Sequence, residues 1–276
     1  MRRGLASSVT IVDSHVHAWP PGLVHPGQPT KVPLAAAPSD LISTLDASGV
    51  DAALVSPALV HPSAEYLFGA ADAAPSRILA VIGVSPWDAE AIAAIPDHAE
   101  RGAVAVRVNL GATPLDDDAG LAGLDELASA TADAGLVLQW TMRLPSAHLI
   151  ERVARSLPTL PQVFDHLGLP LDARDMGALP RLAELAGVDR LHLKLSGMYA
   201  LSEDGFPYED VWPWMEGAVD AFGPERMLWA SDWPLSGQSA SHADLLGLVQ
   251  RLPFLDTEAR RAILGGNASR LWPAPG

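Results

Sequence analysis

His15 and His17 stand one residue apart in "IVDSHVHAWP", at the end of an apolar run near the start of a 276-residue chain with nine histidines. On an extended segment, residues two apart share a face, so both imidazoles point the same way. Such a pair can ligate a metal, polarise a carbonyl or move a proton. Other apolar runs end in reactive residues as well: Arg107 and Asn109 in "VAVRVNL", Gln139 and Thr141 in "LVLQWTM", and Asp165 and His166 in "QVFDHLG". Lys194 and Ser196 close "LHLKLSG", and Ser231 and Asp232 lie in "MLWASDWP". Taken singly, each has an ordinary structural reading: a hydrogen-bonded histidine, a loop-capping aspartate, an ion-paired arginine, a lysine closing a barrel floor. Converging on one place, they read as a functional set, because unpaired buried polar groups are destabilising.

The elements that must position them come from periodicity. Eight short runs, the five above with "TIVDSHVH", "DAALVSPA" and "ILAVIGVSP", are mostly continuous in apolar residues, as strands buried on both faces should be. Helical stripes lie between them: Leu121, Leu124, Leu127 and Ala128; then Leu179, Leu182 and Leu185; then Leu245, Val249 and Leu252. Gly49, Gly102, Gly135, Gly187 and Gly223 fall where helices should end. Eight strand–helix repeats predict a single (β/α)8 barrel over residues 1–276, with "DTEARRAILGGNASRLW" as a closing helix. An open doubly wound sheet would want a glycine-rich phosphate turn after its first strand, where His-Val-His-Ala-Trp-Pro stands instead. Barrel enzymes build their sites at the carboxyl ends of the strands, which is where these polar residues fall.

Composition narrows the function. A formal charge of -15 repels nucleic-acid phosphates and anionic membranes, leaving a small molecule as the expected partner, with the oligomeric state open. The absence of cysteine removes disulfides, thiolate metal sites and cysteine nucleophiles. The start "MRRGLASSVT" lacks the apolar stretch of a secretory signal, so a cytoplasmic location is expected. The long loop "AWPPGLVHPGQPTKVPLAAAP" reads as functional, with His25 within it and His61 in a later loop over the expected mouth. His98, His148 and His242 read as surface residues, and Trp212 and Trp214 as core.

"DSHVH", "FDHLG", "LKLSGMY" and "WASDWP", in this order and spacing, resemble the amidohydrolase superfamily, in its branch of pyrone-dicarboxylate and related lactonases; "ILGGNASRLW" is similar to the family's closing helix. The resemblance implies hydrolysis of a small lactone or another activated carboxyl ester. Asp232 would activate water, and His15, His17, His166 and Arg107 would polarise the carbonyl or hold a substrate carboxylate. Asn109, Gln139, Thr141, Lys194, Ser196, Tyr199, Trp19 and Trp233 would line the substrate. Most amidohydrolases hold zinc or a similar ion. Here Arg107 and Gln139 occupy the strand-four and strand-five positions, and a permanent guanidinium charge repels a cation. Catalysis without a metal is therefore expected, with His15, His17, His166 and Asp232 as ligands if one divalent ion, zinc foremost, is bound. The missing additional arginines, and Leu235 after "DWP", point away from a dicarboxylate toward a more apolar lactone or ester. The rivals are a zinc-dependent decarboxylase or hydratase of small aromatic acids and a barrel that only binds its ligand.

Overall fold

Alternation along the strands separates two apolar layers. Ala53 and Val55 of one strand join the layer beneath the helices, whereas its Ala52 and Leu54 join a second cluster with Leu79, Val81, Ala105, Val137, Val163 and Leu228 from the others. A strand apolar on both faces must be covered on both, and a closed parallel barrel wrapped in helices does this. The computed structural model describes residues 3–6, 10–21, 36–58, 63–111 and 113–273. Its strands are β1 (Val12–His17), β2 (Ala52–Ser56), β3 (Ile78–Gly83), β4 (Ala103–Gly111), β5 (Val137–Met142), β6 (Gln162–Phe164), β7 (Leu191–Leu195) and β8 (Met227–Trp229). They form one parallel sheet in the order β1 to β8. The seam closes just beyond β8, where the Trp233 carbonyl accepts from the His17 amide at 2.7 Å and the Asp232 amide donates to the His15 carbonyl at 2.9 Å. The single (β/α)8 barrel is thus as expected.

Among the described residues, twelve α-helices accompany it: α1 (Pro38–Ser48), α2 (Ala64–Ala73), α3 (Ala89–Ala93), α4 (Ile95–Arg101), α5 (Asp118–Asp133), α6 (His148–Ser156), α7 (Leu179–Leu185), α8 (Met198–Leu201), α9 (Trp212–Phe222), α10 (His242–Arg251), α11 (Thr257–Arg261) and α12 (Asn267–Leu271). A π-helical turn, Ala262–Gly266, joins α11 to α12 and passes so close to β1 that a Cβ on Gly265 would meet the Thr10 carbonyl at 2.1 Å. Leu5 and Trp272 join the inner cluster, so the two chain ends plug the floor of the barrel.

Above that floor the lumen turns polar. The register sets Arg107 beside Gln139, Asn109 beside Thr141, and His17 beside Ser56. One residue departs from simple alternation. A register shift in β1 between Asp13 and Val16 lets the buried Asp13 accept from the Ser231 amide at 2.9 Å and meet His242 Nε2 at 2.8 Å. His242, expected at the surface, is therefore buried at the start of α10, and it ties that helix to the β1–β8 seam. His148 is exposed and His98 half-buried against Phe68; Trp214 is core and Trp212 half-buried. His25 and His61 lie outside the described residues.

Candidate active site

The site is built on a buried ionic layer. Asp165, just past β6, has Oδ2 3.1 Å from Arg107 Nε and accepts from the Thr141 hydroxyl at 2.5 Å. Its Oδ1 lies 2.9 Å from Lys194 Nζ. Lys194, fully buried on β7, also stands 3.1 Å from Gln139 Oε1 and 2.9 Å from His15 Nδ1. Arg107 is pinned further through Nε to Thr141 and through Nη1 to the Pro57 carbonyl. Burial pushes the Asp165 carboxyl up, but the charges of Lys194, His15 and Arg107 prevail and hold it well below the usual carboxylate range. Burial lowers the Lys194 ammonium from its ordinary value, and the Asp165 charge opposes that.

Three imidazoles and a second carboxylate sit on this layer. The His15 ring lies 4.8 Å from that of His17 and 5.1 Å from that of His166. Asp232 Oδ1 is 2.9 Å from His17 Nε2 and 3.6 Å from His15 Nε2, while Oδ2 accepts from the Tyr199 hydroxyl at 2.6 Å. Nδ1 of His17 faces the Ser56 carbonyl at 2.9 Å, and Nδ1 of His166 faces the Ser196 hydroxyl at 3.0 Å. Burial, then the Lys194 charge, hold His15 well below its ordinary value, and burial lowers His166 from its own. Burial raises Asp232, but the field of His166 and the hydrogen bond from His17 overcome it, and the carboxylate stays ionised. Burial and the Asp232 charge push the Tyr199 phenol well up, so it remains a donor.

The five expected catalytic residues, Asp232, His15, His17, His166 and Arg107, come together. The expected substrate contacts divide. Lys194, Gln139 and Ser196 are fully buried, and the polar groups of Lys194 and Ser196 face partners within the fold. Thr141 bridges Arg107 and Asp165, and Tyr199 holds Asp232. Asn109 turns its Oδ1 to the Gly111 amide at the end of β4. Trp19 and Trp233 share a small apolar cluster with Ala36, Ala58 and Leu235, and Trp19 stacks on His17 at 6.4 Å.

Asp165 was visible in "QVFDHLG", yet alternation sets neighbours on opposite faces and separates it from His166. The backbone defeats that rule: His166, Leu167 and Leu169 all have positive φ, so both side chains reach the same space. Asp232 is also left-handed, at φ 61°. Such residues cost about 1–2 kcal/mol each and cluster where a site needs them.

The amidohydrolase family model matches residues 12–274. The chain belongs to the amidohydrolase family. Among its relatives is a 4-sulfomuconolactone hydrolase of Hydrogenophaga intermedia, 26% identical over 280 residues, covering 94% of this chain and 88% of that one. A second 4-sulfomuconolactone hydrolase, from Rhizobium radiobacter, is 38% identical over 119 residues; that match covers 41% of this chain but only 39% of the relative's length. The fold is shared with an amidohydrolase of Burkholderia multivorans solved with zinc bound, at TM-score 0.77, 23% identity, and 96% and 99% coverage of the two chains.

For this amidohydrolase, the question of a metal turns on protons rather than on ligand types. One ring nitrogen each of His15 and His17 and a carboxylate oxygen of Asp232 all lie within 4.8 Å of one another, as do donors of His15, Asp165 and His166. A cation needs a lone pair from each ligand. Yet His15 Nδ1 lies 2.9 Å from Lys194 Nζ, and a nitrogen facing an ammonium uses its lone pair there. Two cationic side chains, Arg107 and Lys194, already stand against Asp165. A divalent ion would leave a buried excess of positive charge, which is costly. With Lys194 and Arg107 against this set, the residues do not fit a resident cation.

Proposed function

We propose that this chain hydrolyses a small lactone or a similarly activated carboxyl ester, using its own side chains and no resident metal. The observation that carries this reading is Asp232, an ionised carboxylate held by Tyr199 on one oxygen and facing His17 and His15 with the other. It supports a general base beside hydrogen-bond donors, the pairing that acyl transfer to water requires.

Water attacks the carbonyl carbon while Asp232 takes its proton. The hydrogen on His15 Nε2 faces the developing oxyanion, and His166 stands beside it. A neutral imidazole serves here as a donor that adds no charge to the layer below. Arg107 keeps Nη2 without a partner among the described residues, available to a substrate carboxylate or carbonyl. When the tetrahedral adduct collapses, the ring C–O bond breaks and the proton on Asp232 passes to the leaving oxygen, giving a hydroxy acid. The relatives' names support a lactone. The lack of further arginines near Arg107 supports a substrate less anionic than a dicarboxylate.

The test is a panel of sugar lactones, muconolactones and aryl-substituted lactones, assayed by acid release with and without a chelator. Hydrolysis of at least one member, unchanged by the chelator, is expected. Carbon dioxide release from an aromatic acid by a zinc-loaded enzyme, with every lactone inert, would replace this reading with a decarboxylase.

A further inference from the structure

We propose that Lys194 is a positioning residue that selects the chemical role of His15: its ammonium fixes the Nε2–H tautomer, making His15 a hydrogen-bond donor to the substrate and denying it to a metal ion. The inference deepens the hydrolase reading and rests on it for the identity of the reaction, but not for the state of the ring.

The geometry supplies three acceptors around one ammonium. Gln139 Oε1 at 3.1 Å and Asp165 Oδ1 at 2.9 Å can only accept, and His15 Nδ1 at 2.9 Å takes the third direction. A fully buried lysine persists only where its charge is answered, and Asp165 answers it. Gln139 Oε1 and Asp165 Oδ1 both lack hydrogens, so the hydrogens of the amine turn toward them. Paired with the Asp165 carboxylate at 2.9 Å, the ammonium has no lone pair to accept a hydrogen from Nδ1. The remaining hydrogen sits on His15 Nε2, which lies 3.6 Å from Asp232 and has no hydrogen-bond partner among the described residues. A buried donor without a partner, aimed at the base, is the position a substrate oxygen would fill.

His17 shows the contrast. Its Nδ1 faces the Ser56 carbonyl at 2.9 Å and its Nε2 faces the Asp232 carboxylate at 2.9 Å, so both of its nitrogens stand against acceptors. The two histidines of one motif are thus oriented oppositely, one by an acceptor and one by a donor. An Nδ1 acceptor is the usual support for a metal-ligating histidine. Lys194 Nζ lies 2.9 Å from both His15 Nδ1 and Asp165 Oδ1, which are 3.6 Å apart, so the ammonium competes with the ring for that acceptor. Removing the ammonium would hand that acceptor to the ring.

The experiment uses the whole protein labelled with 15N in its histidine rings. The His15 signals, identified by their loss in His15→Gln, should show Nε2–H with Nδ1 unprotonated in the wild type. In Lys194→Met, which keeps side-chain length without the donors, the tautomer should invert. Calorimetric titration with zinc should then show affinity rising roughly tenfold or more over the wild type, while chelator-insensitive turnover falls by a similar factor. Nδ1–H at His15 in the wild type, or stoichiometric zinc in the wild-type protein as purified, overturns the proposal; the wild-type spectrum decides even if the variant fails to fold. An Nε2–H ring in a protein that turns over no lactone would overturn the proposed function alone.

Discussion

The Tyr199 hydroxyl donates to Oδ2 of Asp232 at 2.6 Å, and this leaves Oδ1 as the oxygen turned toward His17 and His15. Tyr199 comes from α8, directly after β7, whereas Asp232 follows β8, so the bond also ties two neighbouring loops. Tyr199→Phe removes one hydrogen bond to a charged group, an interaction of about 1.5–3 kcal/mol. The expected result is a loss of roughly 10–100-fold in kcat, with KM nearly unchanged and the far-UV dichroism intact. A fall in KM-dependent binding alone would assign the phenol to substrate instead.

Asp232→Asn keeps the shape of the side chain and its contact with Tyr199 but removes the base. Turnover should drop by roughly 100–10,000-fold, the usual contribution of a positioned general base. The variant should stay folded, because Asp232 sits above the ionic layer rather than within the Asp165–Lys194 pair. Steady-state kinetics with thermal denaturation checks both halves. Near-normal hydrolysis would move the role of base to another group.

Gly197 shows how closely the second loop is fitted. It has φ 73°, and a Cβ there would lie 2.7 Å from His166 Cβ and 3.0 Å from its Nδ1. Gly197→Ala combines left-handed strain of about 1–2 kcal/mol with pressure on the His166 ring. A modest fall in Tm should accompany a disproportionate loss of kcat, and His166 ring signals should shift. Activity that falls only in step with stability would show that His166 tolerates displacement.

Much of this arrangement was readable from residue types and period. The eight apolar runs became the eight strands because continuous β-rich segments separated by helical stripes have few other ways to bury both faces. His15, His17, Arg107 and Asp232 followed from the rule that barrel sites gather at strand ends. What period two could not supply was direction where the backbone leaves the strand. The left-handed turn at His166 hid the partnership with Asp165, and the register shift in β1 hid that of Asp13 with His242. Lys194 reads as a polar strand-end residue from its type and position. Its three neighbours are visible only in the fold.

At the opposite end of the barrel, Asp51 makes a titration prediction with a definite sign. Its Oδ2 accepts from the Thr10 amide at 2.8 Å, the Thr10 hydroxyl at 2.8 Å and the Ile11 amide at 2.9 Å, anchoring the entry to β1. Burial raises this carboxyl, but those hydrogen bonds and the Arg77 charge outweigh it and place it below the ordinary value of 3.8. The folded state therefore favours the ionised form more than the unfolded chain does. The stabilisation is fully present above the unfolded value and disappears as pH falls through the folded one. Asp51→Asn should be less stable than the wild type near neutral pH, and the gap should narrow as pH drops below 3.8. Urea denaturation of both proteins across that range reads the difference directly; a gap that stays constant with pH would show that the carboxylate charge contributes nothing to the anchor.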